Sequence, residues 1–245
     1  MSDPTQEAPL PPFAVLDPLL ASVVDVAHEG IGYRFFVANP FDYIQAYHAR
    51  GEMYEPASLA LIAEHFPVGG TFVDIGAHVG NHAIYAAKAL GAAKVIAFEP
   101  SLKAHTILTV NKALNGLTRF EIRKQALSDA PGEAVIETPA PMHEGRNTLT
   151  EDGPGQRVPV VTGDAALEGR KVSFLKIDVE GHEMQVLGGL TKTVREHRPP
   201  IFIEVRDGFS AALEAWCERH GYRVAERIRQ YQGEENVLLL PAAGT

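Results

Sequence analysis

Phe72-Val73-Asp74-Ile75-Gly76-Ala77-His78-Val79-Gly80-Asn81 runs almost directly into Ala83-Ile84-Tyr85-Ala86-Ala87-Lys88-Ala89-Leu90. The first part is a short β-prone run carrying an acid, the middle is punctuated by glycine, and the last part is a good helix former. That order spells a strand, a tight turn and a helix N-terminus, the opening unit of a nucleotide-binding α/β sheet. Glycine lets the backbone approach a ligand, and the free N–H groups of a helix start favour a negative group. A glycine-rich turn alone is a weak signal. Here a second β-run, Val95-Ile96-Ala97-Phe98, stops on Glu99-Pro100. An acid at the end of the second strand is placed to accept both ribose hydroxyls of an adenosine ligand. The competing reading of Glu99 is an acid beside the helix that opens at Ser101.

The rest of the chain repeats the alternation. Strands are expected at Tyr33–Val37, Phe120–Leu127, Ser173–Asp178 and Ile201–Val205, with a terminal pair at Tyr222–Ile228 and Asn236–Leu240. Helical spacing marks Met53–Phe66, His82–Leu90 closed by Gly91, Ser101–Leu114 with Ser101 as N-cap, Met184–Leu190 and Phe209–His220. Short extra strands, Glu133–Glu137 and Arg157–Val161, flank a polar loop over 138–155. Strand alternating with helix implies a Rossmann-like α/β fold, a mostly parallel sheet with helices on both faces. The expected division is a mobile leader over 1–12, an N-terminal accessory strand and helix over 13–70, and one main domain over 71–245.

Composition narrows the partners. The 245 residues carry 22 Lys plus Arg against 31 Asp plus Glu, a net charge of −9 that argues against a general nucleic-acid binder. The single Cys217 lies in a helical pattern and allows no internal disulfide, which is compatible with a reducing cytosol. No signal peptide and no run long enough to span a bilayer is seen. A cytoplasmic protein without a membrane span is expected; the oligomeric state is not readable.

The turn itself discriminates between ligands. A dinucleotide site wants G-x-G-x-x-G. Here Asp74 stands two residues before Gly76, the next glycine is Gly80, and His78 occupies the middle position of a D-x-G-x-G-x-G turn. Histidine is among the side-chain-bearing residues that tolerate positive φ. The D-I-G-A-H-V-G-N run, the F-E-P ending and Leu175-Lys176-Ile177-Asp178-Val179-Glu180-Gly181-His182-Glu183 together resemble the FkbM family of S-adenosylmethionine-dependent methyltransferases. The likeness covers roughly Glu52 to Arg206. It implies a class I methyltransferase fold and S-adenosylmethionine as cofactor. It also implies a sugar, glycan or natural-product hydroxyl as acceptor, and a cofactor cleft lined in addition by Tyr54-Glu55 and the Leu127-Ser128 exit.

On this reading Asp74, Gly76, Ala77, His78, Gly80 and Asn81 form the cofactor turn, and Glu99 with Pro100 forms the ribose side. Ala126, Leu127 and Asp178 complete the cleft. Asp74 either holds the amino end of the cofactor or is purely structural. Methyl transfer to a hydroxyl needs its proton taken, so a base or metal is expected. Lys176, Asp178, Glu180, His182 and Glu183 crowd around one strand end. His182 titrates near neutrality and is the candidate base; the alternative is a polar residue at a helix start. Lys176, flanked by apolar residues, is expected to pair with Asp178 or Glu204. Glu183 and Glu204, with His143, Arg146 and Asn147 of the long loop, are the acceptor-binding candidates. The carboxylates offer hard oxygen ligands but in no fixed metal spacing, so no metal is assigned. The rivals are N-methylation, a nicotinamide dehydrogenase, and a non-catalytic partner retaining the fold.

Overall fold

Strands buried on both faces build the centre of the molecule. The computed structural model describes residues 21–137, 148–150 and 152–242. An antiparallel hairpin, β1 (Ser22–His28) and β2 (Ile31–Val37), leads to α1 (Tyr43–Ala49) and α2 (Pro56–His65). β3 (Thr71–Ile75), α3 (Asn81–Ala89), β4 (Lys94–Phe98), α4 (Leu102–Leu114) and β5 (Phe120–Arg123) then alternate. β6 (Ala126–Ser128), β7 (Gly132–Glu137), β8 (Thr148–Thr150) and β9 (Gln156–Thr162) form a separate small sheet ordered β6-β9-β7-β8. α5 (Gly163–Ala166), β10 (Phe174–Ile177), α6 (Glu183–Gly188) and α7 (Thr191–His197) return the chain to the main sheet. β11 (Ile201–Arg206), α8 (Ser210–His220), β12 (Tyr222–Tyr231) and β13 (Glu234–Pro241) complete it.

The main sheet runs β12-β13-β11-β10-β3-β4-β5. The pairs from β11 to β5 are parallel, and β13 is antiparallel to both its neighbours. From β3 the chain steps outward to β4 and β5, then crosses back to lay β10 on the other side of β3. The order therefore reverses at β3, and ligands in open α/β sheets sit at such a switch point, beyond the carboxyl ends of the strands.

Alternate residues of the same strands serve two cores. Phe72, Phe174 and Phe202 face one side with Leu59, Ile84 and Leu108. Val73, Ile75, Leu175, Ile177, Ile201 and Ile203 face the other with Val186, Leu187 and Trp216. Phe72 and Phe174 are register partners on neighbouring strands, their rings stacked 5.5 Å apart. Burial on both faces is why these strands read as nearly continuous apolar runs rather than as alternation.

The N-terminal segment shares the first core, because Val26, Tyr33 and Phe35 are buried in the same cluster as Phe72. Asn111 of α4 and Asn115, its C-cap, also accept the backbone N–H groups of Phe36 and Arg34. β1 and α1 were not anticipated from the sequence. The expected single strand Phe120–Leu127 is two strands in two sheets, so Ala126 begins β6 instead of ending a core strand. Ser101 occupies the N-cap of α4 but makes no capping bond; the Leu102 N–H goes instead to Gln156 Oε1 at 2.8 Å. The leader over 1–12 lies outside the described residues.

Candidate active site at the switch point

A cavity of about 290 Å³ opens beyond the carboxyl ends of β3, β4, β10 and β11. Its floor is the glycine turn. Gly76 (φ 83°) and His78 (φ 48°) both take positive φ, so histidine fills the position where the turn pattern has glycine. A Cβ on Gly76 would collide with the carbonyl oxygen of Asp178, which shows how tightly the turn is pressed on the end of β10. Glu99 is 6% exposed and lies just past β4. Its Oε2 accepts the His78 N–H and its Oε1 the Ser101 N–H, both at 2.8 Å. Each carboxylate oxygen has more than one acceptor direction, so each keeps one for a ribose hydroxyl. Burial pushes the Glu99 carboxyl above its ordinary pKa, against the pull of the His78 ring and the two N–H groups. The buried Nδ1 of His78 has no protein partner, and His78 lines the cavity. A buried acceptor for two hydroxyls and an unpartnered ring nitrogen beside it fit the adenosine part of S-adenosylmethionine.

Behind the turn lies a buried ion network. Lys176 Nζ sits 3.1 Å from Asp178, 3.5 Å from Asp74 and 3.3 Å from the Gly76 carbonyl oxygen. Burial alone would lower the ammonium pKa, but Asp178 and Asp74 more than reverse this and hold it charged. Asp178 is correspondingly lowered: burial would raise it, but the Lys176 charge and hydrogen bond win. Glu204 goes the other way. Burial and then the carboxylates of Asp178, Glu234, Glu180 and Glu55 raise its pKa far above the ordinary range, so it is held protonated and hydrogen-bonds Asp178. Asp178, Glu180 and Glu204 offer oxygen atoms within 4.8 Å of one another.

The structure divides the sequence candidates. Tyr54, Gly76, His78, Glu99, Pro100, Ala126, Leu127, Asp178, Glu180 and Glu204 line the cavity. Asp74, Glu55, Ala77, Gly80, Asn81, Lys176, His182 and Glu183 are not among its lining residues. Asp74 is fully buried against Lys176, which favours its structural reading over a grip on the cofactor amino group. Gly80 has no room for a side chain because Leu108 and Ile84 pack against it. Asn81 fastens the N-terminal segment: its Oδ1 takes the Tyr54 N–H and lies 3.0 Å from His48 Nε2, while its Nδ2 donates to the Tyr54 carbonyl. Glu55 is held by Asn236 Nδ2 at 3.1 Å and lies 3.5 Å from His82.

The structure sets His182 and Glu183 apart from the cavity lining. His182 precedes α6, and its Nε2 lies 2.8 Å from Ser128 Oγ of β6, which engages the ring outside the cavity. Glu183 is 3% exposed and its Oε1 accepts the Gly181 N–H at 2.8 Å, so it ties the loop after β10 instead of facing an acceptor. Lys176 pairs with Asp178 as expected, and with Asp74 rather than Glu204. His143, Arg146 and Asn147 lie outside the described residues. Asp42, Tyr43, Ile44 and Glu234 line the cavity and escaped the sequence reading. The only signal for them was the tyrosine spacing at 43, 47 and 54, where the three rings now meet edge to face at 5.4–5.9 Å.

A glycine turn at the switch point, a buried Glu99 just past β4 and an acid-lined cavity between them fit the Rossmann-like S-adenosylmethionine-dependent methyltransferases, and the chain is one of them. Within that class it belongs to the FkbM methyltransferase family, whose domain model matches residues 74–224. Hexuronic acid methyltransferase AglP of Haloferax volcanii is 27% identical over 185 residues, covering 74% of this chain and 72% of that protein. Methyltransferase sdnD of Sordaria araneosa is 25% identical, covering 64% of this chain and 75% of its own length. Among solved structures, the fold is shared with TYW2 of M. jannaschii in complex with AdoMet, at TM-score 0.52 and 13% identity over 90% of this chain and 84% of that one. It is likewise shared with an FkbM methyltransferase from Methylobacillus flagellatus KT, at TM-score 0.51 and 16% identity over 70% and 43%.

Proposed function

We propose that this enzyme methylates a hydroxyl oxygen of a sugar, glycan or polyhydroxylated natural product. The observation that carries this is the single cavity in which the Glu99 clamp and the carboxylates at the ends of β10 and β11 face a common space. The sugar-acid acceptor in the name of the Haloferax volcanii relative supports the acceptor class. S-adenosylmethionine supplies an electrophilic methyl group and a neutral thioether leaving group. The chain's own contribution is positioning. Glu99 holds the ribose, Gly76 and His78 shape the turn beneath it, and Asp178 accepts the acceptor hydroxyl's hydrogen bond. As a hydroxyl oxygen gains a methyl it becomes strongly acidic, so an ionised carboxylate suffices to take its proton. Asp178, kept ionised by Lys176, has that form at neutral pH. Glu204, carrying its proton, donates to Asp178 and fixes its orientation. Among the described residues no helix is long and apolar enough to cross a membrane. The compartment we assign is the cytoplasm and the acceptor is not a nucleic acid, in keeping with the acidic charge.

The test is comparative mass spectrometry of glycans and polar metabolites from cells with and without the gene. Loss of one O-methyl group on a sugar or polyol, restored by the purified enzyme with S-adenosylmethionine, is the expected result. A lost methyl on nitrogen, or none, would overturn the reading.

A further inference from the structure

We infer that Glu55 is a positioning residue for the methyl transfer: from behind the cavity it holds Glu204 and Asp178 in place, through Asn236 on one side and His82 on the other. This rests on the methyl-transfer reading above and extends it to a residue outside the cavity lining and ahead of the matched family domain. The backbone at Glu55 is unusual in two ways. It takes φ 51° and ψ 57°, the left-handed region that a glutamate seldom occupies. It does so directly before Pro56, where the preceding residue ordinarily stays extended. Glu55 is the N-cap of α2, yet its side chain makes no capping bond, and capping does not call for a glutamate. Instead the corner sends neighbouring side chains opposite ways. Tyr54 lines the cavity, while the Glu55 side chain is 5% exposed in the interior. Asn81 clasps Tyr54 at both its N–H and its carbonyl, so the corner is held at both residues. Backbone in a sparsely populated region persists where the surroundings over-determine it, and such positions cluster at functional sites.

The buried carboxylate reaches toward both residues. Its Oε1 accepts a hydrogen bond from Asn236 Nδ2 at 3.1 Å. Asn236 on β13 is the register partner of Glu204 on β11. Opposed residues of an antiparallel pair share a face, so Asn236 stands beside Glu204. Ser58 Oγ of α2 lies 3.5 Å from the same Nδ2 and adds a second hold. On the other side, Glu55 Oε2 lies 3.5 Å from His82 Nε2, a buried atom that makes no hydrogen bond. His82 bears on Asp178: burial would raise that carboxyl, and Lys176 first, then His82, bring it down. Glu55 also acts on Glu204 directly. Burial and then the carboxylates of Asp178, Glu234, Glu180 and Glu55 push Glu204 up to about 11, which keeps on it the proton it donates to Asp178. A buried carboxylate is costly unless it is well partnered, and at this site its partners are the residues that flank the Asp178–Glu204 pair.

The experiment compares the full wild-type chain with Glu55→Gln, which keeps the shape and an oxygen for Asn236 but removes the charge. S-adenosylhomocysteine affinity is measured by calorimetry, and the Glu204 carboxyl is titrated by carbon NMR. The rate is that of label transfer from methyl-labelled S-adenosylmethionine to the glycan and polar-metabolite fraction of cells lacking the gene. The variant should bind S-adenosylhomocysteine within about twofold of wild type and transfer methyl about tenfold more slowly. Its Glu204 midpoint should fall by about one pH unit. Glu55→Asp, which keeps the charge, should bring the midpoint back toward wild type. Asn236→Ala breaks the contact without touching Glu55 and should slow transfer at unchanged affinity, so the inference is tested even if Glu55→Gln does not fold. A Glu204 midpoint that stays put in Glu55→Gln, or a rate that does, overturns the inference and leaves Glu55 a structural residue. An affinity loss as large as the rate loss overturns it too, by making Glu55 a cofactor ligand. If the wild type moves no methyl to oxygen, the sugar-hydroxyl reading fails instead, and midpoint and affinity still decide for or against Glu55.

Discussion

The two ends of one cavity are built on different principles. At the end assigned to the cofactor, the short turn between β3 and α3 and one acid just past β4 carry the site, and backbone N–H groups hold that acid in place. At the acceptor end, Tyr43, Tyr54, Asp178, Glu204 and Glu234 come from five separate stretches of chain and act through side chains. The family match begins at residue 74, so the turn lies inside it while Tyr43 and Tyr54 precede it. The cofactor end is fixed by backbone geometry that tolerates few sequences.

That contrast implies a ranking of damage. Gly76→Ala carries the largest effect. It places a side chain at φ 83° and drives a Cβ into the Asp178 carbonyl, so the turn and β10 must separate. A loss of about 4 kcal/mol or more is expected, read as a collapsed denaturant midpoint. A variant that unfolds like the wild type would mean the two segments are not packed as described.

Asp178→Asn tests the junction of the two ends. The amide cannot take the acceptor proton and no longer neutralises Lys176. We expect kcat to fall by about 10²–10⁴ while S-adenosylhomocysteine affinity changes little. Retention of most of the rate would move the proton acceptor to Glu180.

Glu99→Ala is confined to the cofactor end. Removing a charged acceptor for two hydroxyls should weaken S-adenosylmethionine and S-adenosylhomocysteine alike by about 1.5–3 kcal/mol in calorimetry. Equal affinity in variant and wild type would end the ribose assignment.

The same contrast explains what the sequence made legible. The glycine turn, Glu99 and the strands around them are local signals, in which neighbours in sequence are neighbours in space, so the switch-point fold could be read directly. Lys176 was legible because an apolar strand leaves a charge no option but a partner. His182 stood out in the sequence because crowding along the chain suggested crowding in space, yet the structure sets it off the cavity wall. The residue after Glu180 (φ 57°) and Gly181 (φ 98°) emerges turned toward β6. Beyond the spacing of the tyrosines, nothing local marked Tyr43, Asp42 and Glu234, since the packing of the N-terminal segment against α3 and the return of β13 bring them to the cavity. The split of Phe120–Leu127 between two sheets is equally a tertiary fact, as each half is β-prone on its own.

Glu204→Gln probes the acceptor end through stability. The folded-state pKa of Glu204 lies above the unfolded value. The folded chain therefore keeps a proton that the unfolded chain has released across the neutral range. This group's stabilisation is complete below the unfolded carboxyl pKa and is lost as pH rises toward the folded one. Glutamine removes that slope while keeping a donor. The variant should match wild type near about pH 5 and melt higher near about pH 8. A melting difference that does not change with pH would show that Glu204 ionises freely.

The smallest effect is expected at His182, and it separates chain proximity from site membership. Burial lowers its pKa against the pull of Asp129, so the ring is neutral at pH 7, the form a base would need. Its Nε2 is already engaged with Ser128 Oγ at 2.8 Å, and the ring is not at the cavity wall. A base must come within hydrogen-bond reach of the proton it takes, and geometry decides before pKa does. His182→Ala should therefore keep more than about a tenth of the wild-type kcat, above the smallest loss expected of a positioned base. Its cost should appear in stability, about 1 kcal/mol for one hydrogen bond between α6 and β6, and Ser128→Ala should show a similar loss. The two changes together should cost less than the sum of each alone, because they remove the same bond. A fall in kcat of a hundredfold in His182→Ala, with stability and cofactor affinity intact, would return the histidine to the reaction and require α6 to move when both ligands are bound.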